Sequence, residues 1–167
     1  INVGGKNIIK MTELKTCFEQ MHFENVKTYI QSGNVVFETA EKDTSILSEK
    51  ISQSLLSRFN YTDKVFLIRA KELHTVINQA PAGFGSQPDL YRYDVIFLSN
   101  TVSSSEILDQ LKINNTVDQV AAGDGVLYFS RLSSMSSQSQ MTKMIKTSVY
   151  KQMTIRNWNT TTKLAIL

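Results

Sequence analysis

The stretch Thr28 to Phe37 (TYIQSGNVVF) decides the fold, because it predicts a β-hairpin of two antiparallel strands. Gly33-Asn34 stands between apolar runs, and a Gly-Asn loop supplies the positive φ angles that tight hairpin turns require. With this pair as the loop, Ser32 pairs with Val35. The register then predicts one apolar face, which is formed by Val26, Ile30, Val35 and Phe37.

The other face of this predicted hairpin carries Tyr29 and Gln31. An aromatic ring beside an amide on an open sheet is typical of RNA-recognition sheets, which stack bases on their aromatic side chains. The sequence signature of those domains is absent, so the likeness is architectural only. The alternative is that a second subdomain covers this face.

Helices and a further strand are predicted around the hairpin. Apolar residues at helical spacing predict helices over about 11–22, 43–59 and 71–78. The run KVFLIR (64–69) reads as a strand. Ala80 to Leu90 contains both prolines and two glycines, which favours a linker there.

The second half of the chain repeats this order of elements. It contains a strand at Tyr93 to Ser99, a helix at Ser104 to Ile113 and a second hairpin around Gly123-Asp124-Gly125. Arg131 to Gln140 is serine-rich and reads as a mobile loop, followed by a helix at 141–146 and another near the C-terminus. Both halves read β-α-β-β-α. The fold class is therefore α+β, with two small subdomains (1–79 and 92–167, linker 80–91) that each resemble a split βαβ with helices packed on antiparallel sheets.

Composition narrows the class of protein. The 167 residues carry a net charge of +3, and no apolar run approaches the ~20 residues that span a bilayer. The single Cys17 favours a reducing compartment, so we expect a cytoplasmic protein without membrane contact, either a monomer or a weak homo-oligomer. No acidic residue follows Asp124, while six basic residues do. Such a segregated basic region attracts phosphate, nucleic acid or an acidic partner, or is simply a solvated lysine face.

Three short segments together resemble a bacterial family, the domain of unknown function 1697 family. They are INVGGKN at the start, TYIQSGNVVF, and TIRNWNTTTKL at 154–164, with the strand DVIFL (94–98) in the expected place. The resemblance covers essentially the whole chain and implies a two-subdomain α+β fold without an established activity. Family members open with a further strand ending in Arg-Gly, so we expect this chain to lack residues upstream.

The same segments supply the candidate ligand-binding residues. Consecutive glycines with a lysine let backbone N–H groups approach an anion, although the spacing is not that of a P-loop. Near the C-terminus an arginine fork, amides and an indole ring suit phosphate or a base. We predict one basic site formed by Gly4, Gly5, Lys6, Asn7, Gln31, Ser32, Asn34, Arg156, Asn157, Trp158, Asn159 and Lys163.

Each of these segments also has a structural explanation. The GGKN segment is also what a tight turn requires, and Asn159 or Thr160 could cap the last helix. Trp158 is the only tryptophan and more often belongs to a core, whereas a surface role is favoured for Arg156.

Catalytic chemistry and metal binding find little support. No HxxxH, CxxC or GxSxG motif occurs, and Cys17 with His22 is not a pair that a helix holds on one face. The sequence indicates no cofactor and no metal. The leading hypothesis is a protein that binds a phosphate-bearing ligand or nucleic acid. The alternatives are an enzyme acting on a small phosphorylated or nucleotide substrate at the same site and a non-catalytic interaction module.

Overall fold

The computed structural model describes residues 2–3, 7–99, 102–111, 113–144, 150 and 152–167. Helices accompany antiparallel sheets, so the predicted α+β class is confirmed. The chain divides into two compact units, which are residues 1–68 with 166–167 (the first unit) and residues 69–165 (the second unit). Residues 80–91 lie inside the second unit.

The first unit packs two helices with two small sheets. In chain order its elements are β1 (Asn2–Val3), β2 (Asn7–Ile8), α1 (Met11–Gln20), β3 (Glu24–Tyr29), β4 (Asn34–Glu38) and α2 (Thr44–Phe59). Strand β1 pairs with β2 and β3 with β4, both antiparallel. The rings of Phe23 and Phe37 stack at 4.4 Å between centroids, beside Phe18. Cys17 is buried in the same core, and burial raises the pKa of its thiol.

The predicted register of the first hairpin is wrong. Val35 pairs with Thr28 instead of Ser32, a slip of four residues, and the loop becomes Ile30 to Gly33. Because an even slip keeps each side chain on its face, Val35 still packs against the core together with Phe37. Ile30 does not, since it lies in the loop and is 50% exposed, with a left-handed φ of 49°.

The predicted strand at 64–69 is also wrong. The segment is irregular in the structure and forms no strand. Val65 and Leu67 nevertheless pack against the core of the first unit. The run of apolar residues therefore indicated burial, which an irregular segment achieves as well as a strand does.

The second unit is built on one four-stranded antiparallel sheet with the order β6-β7-β5-β8. Its elements are α3 (Ala70–Asn78), β5 (Tyr91–Leu98), α4 (Ser104–Gln110), β6 (Asp118–Gly123), β7 (Val126–Leu132), a 3-10 helix (Ser133–Gln138), α5 (Met141–Met144), β8 (Met153–Asn157) and α6 (Trp158–Leu164). The hairpin turn at Asp124-Gly125 forms as predicted, with Gly123 paired to Val126.

Both faces of this sheet are buried in the middle of β5, where Val95 to Leu98 are at most 4% exposed. On one face Ile96 packs with Ile107 of α4 and Met141 of α5. On the other face Tyr128 donates a hydrogen bond of 2.6 Å to the carbonyl of Val76 in α3. The centre of β5 therefore offers no open platform on which a ligand could stack.

One further prediction is wrong in the second unit, and one strand was not predicted. The serine-rich segment 131–140 is not a loop, because β7 runs to Leu132 and the 3-10 helix follows. Strand β8 was not predicted, because it contains only two apolar residues, which alternate with polar ones. Met153 and Ile155 are its core-facing residues.

Candidate functional site

A small pocket opens at one end of β5 in the second unit. Its volume is about 110 Å³. Three segments form its lining, namely the loop before β5, the first residues of β5 and the junction between β8 and α6. The lining residues are Gly85, Pro88, Tyr91, Arg92, Tyr93, Asn157, Trp158 and Asn159.

Gly85 allows the loop to approach the indole ring of Trp158. Its φ is +86°, a conformation that residues with a Cβ rarely adopt. A Cβ at this position would lie 2.3 Å from Trp158 Nε1, far inside van der Waals contact. Any larger residue would therefore displace the loop or the indole, and the pocket would lose one wall.

Phe84 holds the aromatic side chains of this region in place. Its ring packs edge to face against Trp158, Tyr93 and Tyr128, with centroid distances of 5.1, 5.0 and 5.4 Å. Burial raises the pKa of the Tyr128 phenol, which anchors the cluster to α3. The indole at the pocket is thus fixed before any ligand arrives.

Asn157 fixes the junction between β8 and α6. Its Nδ2 donates to the carbonyl of Tyr93 over 3.1 Å, and its Oδ1 accepts from the backbone N–H of Asn159 over 3.0 Å. Asn157 is therefore the N-cap of α6, a role expected for Asn159 or Thr160. Its amide thus donates one hydrogen bond that links β8 to β5 and accepts one that fixes the start of α6.

Arg92 and Asn159 are the polar lining residues whose side chains are exposed and not engaged. Within the part of the chain that the structure describes, neither the guanidinium of Arg92 nor the amide of Asn159 forms a hydrogen bond or an ion pair. A guanidinium offers five donors in a planar fork, and an amide offers both a donor and an acceptor. These two groups remain able to bind a ligand.

Asp94 and Arg131, which are close to the pocket in the sheet, form an ion pair. Arg131 Nη2 lies 3.2 Å from Asp94 Oδ2, which is an ion pair by distance but not a hydrogen bond by geometry. Burial raises the pKa of Asp94, while the positive charges of Arg131 and then Arg92 oppose that rise. Because Arg131 is paired with Asp94, Arg92 is the pocket-lining arginine that has no ion pair within the described residues.

The predicted site residues near the C-terminus divide into two groups. Asn157, Trp158 and Asn159 line the pocket together. Arg156 does not, and its Nη1 donates to the carbonyl of Ile155 over 2.8 Å and to the hydroxyl of Thr154 over 3.2 Å. Lys163 is exposed in the last turn of α6 and is not a lining residue either.

The remaining predicted residues belong to the first unit. Gln31 and Ser32 are exposed in the hairpin loop, whereas Asn34 is 6% exposed. The Asn34 amide donates to Ser32 Oγ over 2.7 Å and to the Tyr29 carbonyl over 3.3 Å. Gly4, Gly5 and Lys6 lie outside the described residues, and of Asn7 only the backbone, in β2, is described.

The sequence reasoning missed half of the pocket. Tyr91-Arg92-Tyr93 interleaves aromatic rings with a cation immediately after a glycine- and proline-rich segment. That pattern is typical of surfaces that stack rings and bind anions. The sequence analysis assigned these residues to a predicted linker and strand and did not consider them as ligand-binding residues.

The structure finds no metal centre and no membrane-spanning helix among the residues it describes. No three His, Cys, Asp or Glu side chains are grouped there as metal ligands. No helix in the described ranges is long and apolar enough to cross a bilayer.

Fold and pocket together define an α+β protein with two-stranded and four-stranded antiparallel sheets and a small ring-lined pocket. The chain belongs to the family described as protein of unknown function (DUF1697), whose model matches residues 1–128. The match includes β5 and the loop before it but ends before the junction at 157–159.

One solved structure is similar along nearly the whole chain. The conserved bacterial protein SP0830 from Streptococcus pneumoniae shares 23% sequence identity, with a TM-score of 0.80 over 99% of this chain and 92% of its own. At that identity the similarity shows the fold alone. No curated protein matches the sequence significantly.

Proposed function

We propose that this protein binds a phosphate-bearing ligand at the pocket of the second unit, with Arg92 as the principal contact. One observation carries the proposal: Arg92 is exposed at the pocket and makes no hydrogen bond or ion pair within the described residues, while Arg131 nearby is held by Asp94. An unengaged guanidinium matches the geometry of a phosphate with paired donors.

Asn159 supports the same proposal. Its amide lies on the pocket beside the helix start and adds a neutral donor to the charged one. Asn157 places it, because the cap fixes the backbone N–H of Asn159. The proposed site is therefore smaller than the one expected from the sequence and is confined to the second unit.

Two broader expectations accompany this proposal. The order β5-α4-β6-β7-α5-β8, with β5 between β7 and β8, supports a split βαβ arrangement of the second unit. The buried Cys17 supports a reducing, cytoplasmic setting.

The test is a calorimetric titration with ribose 5-phosphate, which carries a phosphate but no base. We expect Arg92→Ala to weaken binding by roughly 10-fold or more, since hydrogen bonds to charged groups contribute about 1.5–3 kcal/mol. Lys71→Ala is the matched control, because Lys71 is an exposed cation of α3 outside the pocket lining. Equal losses in both variants, or no binding by the unmodified protein, would refute the proposal.

A further inference from the structure

We infer that the ligand of this pocket is a nucleotide unit, whose base stacks on the aromatic lining while its phosphate meets Arg92. This inference rests on the proposed function and names the class of ligand. Tyr91, Tyr93 and Trp158 all line the pocket, which is a high density of rings for so small a surface. Every base has a flat face that stacks on such rings.

The size of the pocket favours a single ring. Its volume of about 110 Å³ is below the ~300 Å³ at which pockets enclose a whole drug-sized molecule. A planar base edge fits, while the sugar and phosphate remain outside and reach the exposed Arg92. The arrangement therefore suits one nucleotide, in which ring and anion are separated by a sugar.

The surrounding sheet argues against a long strand of nucleic acid. RNA-recognition sheets stack several bases on an open face. Here Val95 to Leu98 are buried on both faces of the sheet, so no second stacking position continues from the pocket along β5.

The indole is also prepared for stacking. Phe84 packs edge to face on Trp158 and Gly85 fits under its Nε1, so the ring loses little freedom on binding. Asn159 lies next to it with a donor and an acceptor, which is the pattern of a base edge.

The experiment compares adenosine monophosphate, adenosine and ribose 5-phosphate on the full chain. Trp158 is the only tryptophan, so its emission reports this site directly. We expect the monophosphate to quench it and to bind roughly 10-fold more tightly than ribose 5-phosphate, from the worth of stacking one base. Calorimetry should show this advantage lost in Tyr91→Leu and retained in Tyr150→Leu, whose ring is exposed and does not line the pocket.

The outcomes separate this inference from the proposed function. If ribose 5-phosphate binds through Arg92 and the monophosphate binds no better, the nucleotide inference is overturned and phosphate binding stands. Adenosine binding as tightly as the monophosphate would instead refute the role of Arg92 and keep the stacking. Absence of binding by all three compounds would overturn both.

A fourth arm uses a short single-stranded oligonucleotide. A site that contacts one phosphate should lose only about 3-fold in affinity between 50 and 200 mM salt, whereas contact with about four phosphates should lose roughly 50-fold. The smaller loss supports a single nucleotide unit. The larger loss would overturn that commitment in favour of a nucleic-acid strand.

Discussion

The hairpin turn of the first unit and the β8–α6 junction of the second unit are similar in sequence. Their asparagine side chains nevertheless have different roles in the structure. Both place Asn beside a turn with other polar residues. At the hairpin, Asn34 is buried and its amide closes the turn through Ser32 and Tyr29. At the junction, Asn157 is used in the same way, but Asn159 is left exposed beside Arg92.

The difference shows that residue type alone does not identify a binding site. A polar side chain can bind a ligand only if the fold has not already used its hydrogen-bonding capacity. The hairpin consumes the capacity of Asn34, so its polarity is structural. The junction uses Asn157 to position Asn159, whose amide, like the guanidinium of Arg92, lines the pocket without a hydrogen bond in the part of the chain that the structure describes.

The largest effect on this comparison is expected from Gly85→Ala, which places a Cβ against the indole ring of Trp158 at the junction. Positive φ costs a residue with a Cβ about 1–2 kcal/mol, and overpacking adds about 1–3 kcal/mol, so we expect the free energy of unfolding to fall by about 2–5 kcal/mol. Gly83→Ala is the control, because Gly83 has φ +79° but its nearest neighbour, Ser86 Oγ, lies 3.7 Å from the added Cβ. Chemical denaturation measures both, and Trp158 emission should shift only in Gly85→Ala. Equal stability of the two variants would contradict the tight contact.

A second prediction compares the two asparagines directly. Asn34→Ala removes a buried amide and the hydrogen bonds that it donates to Ser32 Oγ and the Tyr29 carbonyl, so we expect a loss of about 1–2 kcal/mol in the free energy of unfolding. Asn159→Ala removes an exposed amide and should change stability by less than about 0.5 kcal/mol. Ligand binding should respond in the opposite order. The comparison fails if Asn159→Ala proves the more destabilising of the two.

Asp94 is an intermediate case, since one of its oxygens has an ion pair but no hydrogen bond. Burial raises the pKa of Asp94 in the folded protein above 3.8, its ordinary value in the unfolded chain. The protonated carboxyl therefore contributes to the stability of the fold below the unfolded pKa, and this contribution is lost as pH rises through the folded pKa. The stability advantage over Asp94→Asn should therefore shrink as pH rises, by about 1.4 kcal/mol per pH unit between the two pKa values. Denaturation across a pH series measures it. An advantage that grows with pH would mean that attraction to Arg131 outweighs burial.

Local signals in the sequence predicted local structure well. The stripe that begins at Met11 gives α1, and Asp124-Gly125 gives a two-residue hairpin loop. In both cases neighbouring residues contain the whole cause, which is helical periodicity in one and positive φ in the other. The order of the predicted elements indicated the α+β class, and the family resemblance implied the same class.

Pairing between distant segments was not predictable in the same way. The register of β3 and β4 is set by packing around Phe37 rather than by the Gly-Asn pair, and β8 exists because β5 offers it an edge. The pocket requires contact between Gly85 and Trp158, which lie far apart in the sequence of the second unit. Such contacts depend on the assembled sheet, which periodicity does not encode.

The left-handed backbone of Ile30 has a consequence for how this chain can vary. A β-branched residue at φ 49° is strained by roughly 1–3 kcal/mol, and half of its side chain lies in solvent. Glycine or asparagine would adopt this conformation more easily while losing few contacts. A substitution of Ile30 by glycine or asparagine is therefore expected to stabilise the fold. In evolution such a substitution could compensate for a destabilising change elsewhere in the chain.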